Sequence, residues 1–257
     1  MALARAVGVS DAYVRRLEEL SMNAWPSLET ILHDGWVLRF ASGYTRRANS
    51  VHPLYPSLDE EEEKVRLCQR LYRDRGLPAV FKLTPAASEV DGLLSRLGYA
   101  TEGESLVLMT DLADLPAPAR IDVEVLPQAT NGWIGEFCML ERSARRHFAT
   151  ITQMTSRIMP PAAFVVLREN GETVGMGMGV VEQDYCGVFN LVTRQTKRGQ
   201  GIGRDVTLHL LSWGQRQGAK HAYLQVEQAN EPALHLYRAL GFEPVYGYHY
   251  RVRPSSR

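Results

Sequence analysis

The sequence predicts an α/β protein built from two similar halves, and a repeated order of elements is the main reason. Residues 79–83 form an apolar, strand-like run, and residues 90–99 form a short helical pattern that ends in Leu-Gly-Tyr. Residues 222–226 and 233–242 repeat this order and end in Leu-Gly-Phe. Strand, helix and further strand therefore occur twice, which indicates an internal duplication.

The best candidate for a linker between the halves is the segment of residues 111–120. It carries Pro116 and Pro118 between two periodic segments. A chain of 257 residues is long enough for two domains of ordinary size. We therefore expect a first domain at 1–115 and a second domain at 116–257.

The first half is predicted to open with a helix that Ser10 and Asp11 can cap. Residues 34–40 alternate between apolar and polar after a turn, which is typical of a strand. The basic segment 43–51 is expected to be a solvated loop. Acidic residues at 59–63 are expected to begin a helix, since negative charge is favourable at a helix N-terminus.

In the second half, the pattern predicts a strand at 121–126, helices at 133–144 and 150–159, and then an antiparallel meander. Asn170-Gly171 is a hairpin signal between strands at 163–169 and 173–181. A strand at 185–193 follows, and residues 245–252 are expected to form closing strands. Before the predicted helix at 59–75 there is no cluster of glycines, whereas a glycine-rich turn follows the strand at 185–193.

That turn is the strongest functional signal in the chain. It lies between a buried strand and a helix, and its residues are Arg198, Gly199, Gln200, Gly201, Ile202, Gly203 and Arg204. Glycines allow positive φ, so several backbone amides can converge on one anion, and the helix dipole adds to their field. The turn is therefore predicted to hold the diphosphate of a nucleotide-bearing cofactor.

Two other phosphate-binding motifs match the turn less well. A P-loop needs Gly-Lys-Ser/Thr, which is absent. A dinucleotide fingerprint needs a third glycine where Arg204 or Val206 stands, although Glu227 lies where a ribose-binding acid could lie. A dinucleotide-dependent oxidoreductase and a turn that only caps the helix therefore stay open.

The residues around this turn resemble the GNAT superfamily of acyl-CoA-dependent N-acyltransferases. The matching elements are Arg198-x-x-Gly201-x-Gly203 and Asn230-x-x-Ala233-x-x-Leu236-Tyr237-x-x-Leu240-Gly241-Phe242. The likeness is close over 188–242. It implies a mixed, mostly antiparallel twisted sheet with helices on both faces. The first half resembles a degenerate GNAT-like copy, kept for packing or for shaping the acceptor site.

The resemblance also implies a ligand and roles for individual residues. Acetyl-CoA would be the acyl donor, and its pantetheine arm would pair with the backbone of Leu191, Val192 and Thr193. Its diphosphate would lie on the amides of the glycine-rich turn, and Asn230 would hydrogen-bond the arm. An amine would attack the thioester directly. Tyr237 would protonate the departing thiolate, a task that suits a phenol with an ordinary pKa of about 10.

One position departs from the family pattern. Several members carry a glutamate base in the second strand, twelve residues before the tyrosine, and Gln225 stands there in this chain. Glu227 lies two residues further along and points to the same side if the strand continues, so it is our candidate base. A solvated charge at the strand end is an equal interpretation of Glu227. A non-catalytic acyl-CoA-binding module is the alternative function.

Composition limits the partners that we expect. Lys plus Arg and Asp plus Glu are equal at 29 each, so no overall charge favours nucleic acid or a membrane. The three cysteines form no CxxC pair, which predicts a reducing, cytoplasmic compartment and no metal site. A small-molecule amine or a protein N-terminus is the expected acceptor. The oligomeric state stays open, with a homodimer among the options.

Overall fold

The computed structural model describes residues 8–253; the outermost residues of both predicted domains, 1–7 and 254–257, lie outside this range. Its helices are α1 (Asp11–Ala24), α2 (Glu61–Arg73), α3 (Ser88–Arg96), α4 (Asn131–Leu140), α5 (Phe148–Thr155), α6 (Ile202–Arg216) and α7 (Glu231–Ala239). Its strands are β1 (Glu29–His33), β2 (Trp36–Phe40), β3 (Val51–Pro53), β4 (Val80–Leu83), β5 (Ala100–Asp111), β6 (Val123–Leu126), β7 (Ala162–Glu169), β8 (Glu172–Glu182), β9 (Tyr185–Thr193), β10 (His221–Glu227) and β11 (Glu243–Val252).

The described chain forms two compact units. The first comprises 8–107, 227–229 and 244–253, and the second comprises 108–226 and 230–243. Most of the C-terminal strand β11 therefore belongs with the N-terminal half, although the sequence pattern assigned it to the second domain. The division at 115/116 remains a prediction.

The first unit is built on strands in the order β1-β2-β3-β4-β11. Neighbours are antiparallel except β3 and β4, which pair in parallel at Val51 and Phe81. β11 pairs with β4 from His249 opposite Leu83 to Val252 opposite Val80. The periodic apolar faces of α2 and α3 supply the core side chains that pack around Phe81, namely Val65, Cys68, Tyr72, Val90 and Leu94.

A buried ionic cluster ties α1 to the strands of the first unit. The Glu18 carboxylate accepts two hydrogen bonds of 2.7 Å from Lys82 Nζ and one of 2.8 Å from the Tyr246 hydroxyl. Burial opposes the charged form of Glu18, but Lys82 and His52 outweigh it and lower its pKa to about 2. Burial lowers the pKa of His52 to about 4, although Glu18 acts in the other direction. The cluster satisfies charges that would otherwise be costly to bury.

The second unit has the strand order β10-β9-β8-β7-β6. The pairs β6–β7, β7–β8 and β8–β9 are antiparallel, whereas β9 and β10 are parallel. The predicted hairpin is confirmed, since Asn170 and Gly171 both have positive φ between β7 and β8. α6 packs closely on β8 because Gly177 has no side chain; a Cβ there would lie 3.0 Å from Leu210 and Val206.

The predicted fold class is confirmed: the chain is a mixed α/β protein with mostly antiparallel strand pairs. Some elements differ from the sequence pattern. β1 was not predicted, β3 begins within the predicted loop, and the predicted helix at 133–144 ends at Leu140 before a 3₁₀ segment. In the described part of the chain, no helix has the length and apolar character that crossing a membrane requires.

Candidate functional site

The glycine-rich turn leads into the N-terminus of α6 with the geometry of an anion site. Gly199 and Gly201 have φ of +75° and +78°, a backbone conformation that other residues rarely adopt. Gly201 is the N-cap, and no side chain of the part of the chain that the structure describes caps the helix there. The first amides of α6, from Ile202 on, therefore have neither an acceptor in a preceding turn nor a capping oxygen. Residues 198–201 are exposed to solvent.

Gly203 brings three elements of the site together. A Cβ at this position would lie 3.3 Å from Leu236 Cδ2 on α7 and 3.5 Å from Thr193 Oγ1 at the end of β9. Because glycine adds no side chain here, the first turn of α6 packs directly between the end of β9 and α7. The predicted residues of β9, the turn and α7 thus lie next to one another in the second unit.

The two parallel strands of the second unit stop pairing partway along. Their register runs from His221 opposite Tyr185 to Leu224 opposite Val188 and ends there, although β9 continues to Thr193. On the other side of β9, Asn190 and Leu191 face the single residue Gly177 of β8, since Met178 pairs with Phe189 and Met176 with Val192. This bulge redirects β9 just where its pairing with β10 ends.

Asn190 at this bulge is a candidate that the sequence interpretation missed. Its φ is +52°, which is uncommon for a residue with a side chain. Its Nδ2 atom is buried and has no hydrogen-bond partner among residues 8–253. Unsatisfied buried donors and strained backbone both tend to occur at binding sites. The signal in the sequence was an asparagine inside the apolar run Phe189-Asn190-Leu191.

Asn230 and Tyr237 lie at the start and near the end of α7. Asn230 is the N-cap, and its Oδ1 accepts a hydrogen bond of 3.3 Å from the Ala233 amide. Tyr237 is 7% exposed and makes an edge-to-face contact with Phe242, with ring centroids 5.8 Å apart. Phe242, just after α7, therefore packs against the buried tyrosine ring.

The candidate base lies at the end of β10. The strand does continue to Glu227, so Gln225 and Glu227 are on one side of it, as the pattern required. Glu227 is exposed and belongs to the first unit, whereas Tyr237 belongs to the second. A catalytic role for Glu227 remains a prediction.

Between residues 8 and 253, no group of three His, Cys, Asp or Glu side chains could hold a metal ion. The three cysteines are buried thiols without disulfides, and burial raises the pKa of Cys186 to about 12.

Comparison with known proteins agrees with this geometry. The uncharacterised N-acetyltransferase YobR of Bacillus subtilis is 27% identical over 246 residues, which are 93% of this chain and 98% of YobR. A GCN5-related N-acetyltransferase from Kribbella flavida has a similar fold, with a TM-score of 0.70, 16% identity and 98% of each chain covered. A tandem GNAT protein from the clavulanic acid biosynthesis pathway gives 0.60 at 14% identity, over 98% of this chain and 91% of that one.

These likenesses and the site define the class of protein, an acyl-CoA-dependent acetyltransferase of the GNAT superfamily. The family model described as "Probable histone acetyltransferase Rv0428c C-terminal" matches residues 11–253. The chain belongs to that family.

Proposed function

We propose that this protein transfers the acetyl group of acetyl-CoA to a primary amine. The observation that carries the proposal is the coincidence, in one unit, of a strand pair that opens after Val188 and an uncapped glycine-rich helix N-terminus. The amide groups of an extended pantetheine arm can hydrogen-bond to the unpaired backbone of a strand edge. A diphosphate can be held by several backbone N–H groups that converge on it. Membership of an acetyltransferase family favours this function over a dinucleotide-dependent oxidoreductase.

The residues present fit acetyl-CoA. The backbone of Leu191, Val192 and Thr193 would hold the pantetheine arm. The amides of Gly199, Gln200, Gly201, Ile202, Gly203 and Arg204, with the guanidinium groups of Arg198 and Arg204, would hold the diphosphate. The cap at Asn230 uses Oδ1, and we assign its Nδ2 to the pantetheine arm. The orphaned Nδ2 of Asn190 supports a further polar contact at the bulge.

When bound, acetyl-CoA supplies an acetyl group already activated as a thioester. A backbone N–H near Val192 would polarise the carbonyl oxygen, as in other acyl-transfer sites. Tyr237 would hold the proton that the departing thiolate takes. Its buried, fixed ring supports this role, since a general acid must be oriented before the reaction.

The amine must lose a proton during the reaction. Gln225 cannot accept one, and we propose that Glu227 does so through a water molecule, because it is exposed to solvent. The acceptor would be a small-molecule amine or a protein N-terminus. We also propose that the chain arose by duplication and that residues 1–115 form a degenerate copy without its own acetyl-CoA site.

Calorimetry with acetyl-CoA and with NADH, followed by an amine panel, tests the function. We expect acetyl-CoA to bind and NADH not to bind. We expect at least one amine to release coenzyme A and to gain 42 Da, the mass of an acetyl group replacing hydrogen, by mass spectrometry. Binding without product across small amines and N-terminal peptides would contradict transfer and support a non-catalytic acyl-CoA-binding module. If NADH binds and acetyl-CoA does not, acetyl-CoA is not the cofactor.

A further inference from the structure

We propose that Arg120 is a positioning residue that orients the glycine-rich turn and neutralises a buried carboxylate beneath it, so that the turn can accept a diphosphate. The inference rests on the proposed use of acetyl-CoA. Arg120 lies in the segment that the sequence pattern treated only as a linker, outside the motif that indicated the cofactor.

Arg120 makes three charge-assisted hydrogen bonds within the second unit. Its Nη2 donates to the Gln200 carbonyl oxygen at 2.9 Å, its Nη1 to Asp205 Oδ2 at 2.8 Å and its Nε to Glu169 Oε1 at 2.9 Å. A planar guanidinium can satisfy three acceptors in different directions at once, which a lysine ammonium on a flexible stem does less well.

The bond to Gln200 fixes the direction of an amide in the turn. In a trans peptide the carbonyl and the following N–H point in opposite directions. Because Arg120 holds the carbonyl of Gln200, the N–H of Gly201 must point away from Arg120. No cis peptide bond occurs in the described chain, so this holds for the peptide between Gln200 and Gly201 at the start of α6.

The bond to Asp205 removes a charge that would repel the ligand. Asp205 is 1% exposed and lies in the first turn of α6, the part of the helix that faces an anion. A carboxylate there would weaken the field of the amides. Arg120 pairs with it at 2.8 Å, Arg204 lies 3.9 Å from it, and Lys197 pairs with Glu169 at 2.9 Å, so each of the two carboxylates faces cations. In the described part of the chain, Arg198 enters no ion pair and can face the ligand.

The backbone around Arg120 is held on both sides, which fixes the guanidinium. The Ala119 amide donates to Asp205 Oδ1 at 2.8 Å, and His209 Nε2 lies 2.7 Å from the Arg120 carbonyl oxygen. Asp205 and His209 are one turn apart on α6. The segment before β6 is therefore attached to the same helix that begins at the glycine-rich turn.

The test is calorimetric titration of the full chain with coenzyme A and with pantetheine, which lacks the diphosphate. We expect Arg120→Ala to weaken coenzyme A binding by about tenfold or more, since the buried Asp205 loses its hydrogen-bonded cation and keeps only Arg204 at 3.9 Å, beside a bound anion. Pantetheine affinity should stay within about twofold, because only the diphosphate contacts change. Arg120→Lys should recover part of the loss.

The double variant Arg120→Ala/Asp205→Asn separates neutralisation from general stability. It should bind coenzyme A more tightly than Arg120→Ala, because the uncompensated carboxylate is gone. Arg168→Ala is the matched control: Arg168 is 33% exposed against 30% for Arg120, and it also pairs with two carboxylates, Glu124 and Glu136. This control should bind coenzyme A as the wild type does.

If Arg120→Ala does not fold, Asp205→Asn alone serves as the test, and it should bind coenzyme A at least as tightly as the wild type. Several results would overturn the inference: unchanged affinity of Arg120→Ala, equal losses in Arg120→Ala and Arg168→Ala, no gain in the double variant, or weaker binding by Asp205→Asn. A wild-type protein that does not bind coenzyme A contradicts the proposed function itself, and the inference with it.

Discussion

Each unit contains a helix that connects two parallel strands, and the two connections differ in charge and backbone shape. α2 joins β3 to β4, and α6 joins β9 to β10. α2 begins with Glu61, Glu62 and Glu63, follows no glycine, and has Glu60 as its N-cap. α6 begins after two glycines in the left-handed region and has arginines around its N-terminus.

The difference shows how one arrangement of elements can serve two purposes. Acidic residues in the first turn stabilise α2 through the helix dipole, but they repel an anion at the same place. Around α6, backbone amides are left without a cap, and Arg120 balances the single acidic side chain of the first turn. The N-terminus of α2 therefore favours the stability of its helix, whereas the N-terminus of α6 favours the binding of an anionic ligand.

The two short helices that follow show the same contrast. Tyr237 on α7 stands three residues before Leu240-Gly241-Phe242, and Leu94 on α3 stands three residues before Leu97-Gly98-Tyr99. Leu94 is fully buried in the core of the first unit. The position that offers a phenol in one half therefore offers only an aliphatic side chain in the other.

The largest effect is expected from Gly201→Val. A β-branched residue is strained at φ of +78°, and its Cβ would lie 3.6 Å from Nη1 of Arg120, whose guanidinium holds the Gln200 carbonyl of the turn. We expect no measurable binding of acetyl-CoA by calorimetry. Gly76→Val in the first unit is the control, since Gly76 has φ of +68° and open space around it. Retained binding in Gly201→Val would show that this turn does not hold the cofactor.

Tyr237→Phe is expected to lower turnover by about 10²-fold, which is typical when a general acid is removed. The affinity for acetyl-CoA should stay as in the wild type, because the ring and its contact with Phe242 remain. Steady-state kinetics with any accepted amine and calorimetry with acetyl-CoA measure the two quantities. Unchanged turnover would leave Tyr237 as a packing residue, equivalent to Leu94.

His52→Gln tests the buried charges of the first unit. The pKa of His52 falls from 6.5 to about 4 on folding, so its contribution is fully present above pH 6.5 and is lost as the pH falls towards 4. Between pH 7 and pH 5 the wild type should lose about 2 kcal/mol of unfolding free energy through this histidine. Urea unfolding at the two pH values should show a smaller loss in His52→Gln.

The exposed His235 provides the control for that experiment. His235→Gln should lose as much stability as the wild type between the two pH values. Equal losses in all three proteins would show that His52 does not stay neutral in the folded state.

The smallest effect is expected from Asn190→Gly. Glycine relieves the positive φ of +52° but gains more entropy in the unfolded chain, so the free energy of unfolding should change by at most about 1 kcal/mol. Loss of the orphaned Nδ2 donor should weaken acetyl-CoA binding about fivefold. Asn170→Gly, at φ of +53° in the hairpin, is the control and should leave binding unchanged. Equal affinities in both variants would remove Asn190 from the site.

Much of the fold could be predicted because the deciding signals are local. Ser10 accepts from the Tyr13 amide as an N-cap, Asn170-Gly171 forms the hairpin, and the acidic run precedes α2. The turn around Gly201 was predicted for the same reason, since its glycines decide its backbone shape. The roles of individual site residues stay predictions.

The elements that were missed depend on distant partners. β3 is three residues long, and it is a strand because it pairs with β2 on one side and, at Val51, with Phe81 of β4 on the other. Asn190 became a candidate only when the pairing of β9 on both sides was known. Arg120 lies about eighty residues from the carbonyl that it binds, so no sequence window contains both.

The chain alone therefore indicated the glycine-rich turn and most of the strands and helices, because these follow from short-range periodicity and backbone preference. The class of protein was indicated by the resemblance of two sequence motifs to a known family. Only the tertiary structure decided that β11 pairs with β4, that β9 leaves β10 after Val188, and that Arg120 meets Asp205. Such contacts are chosen by the combined packing and charge of segments far apart in sequence, which no local pattern records.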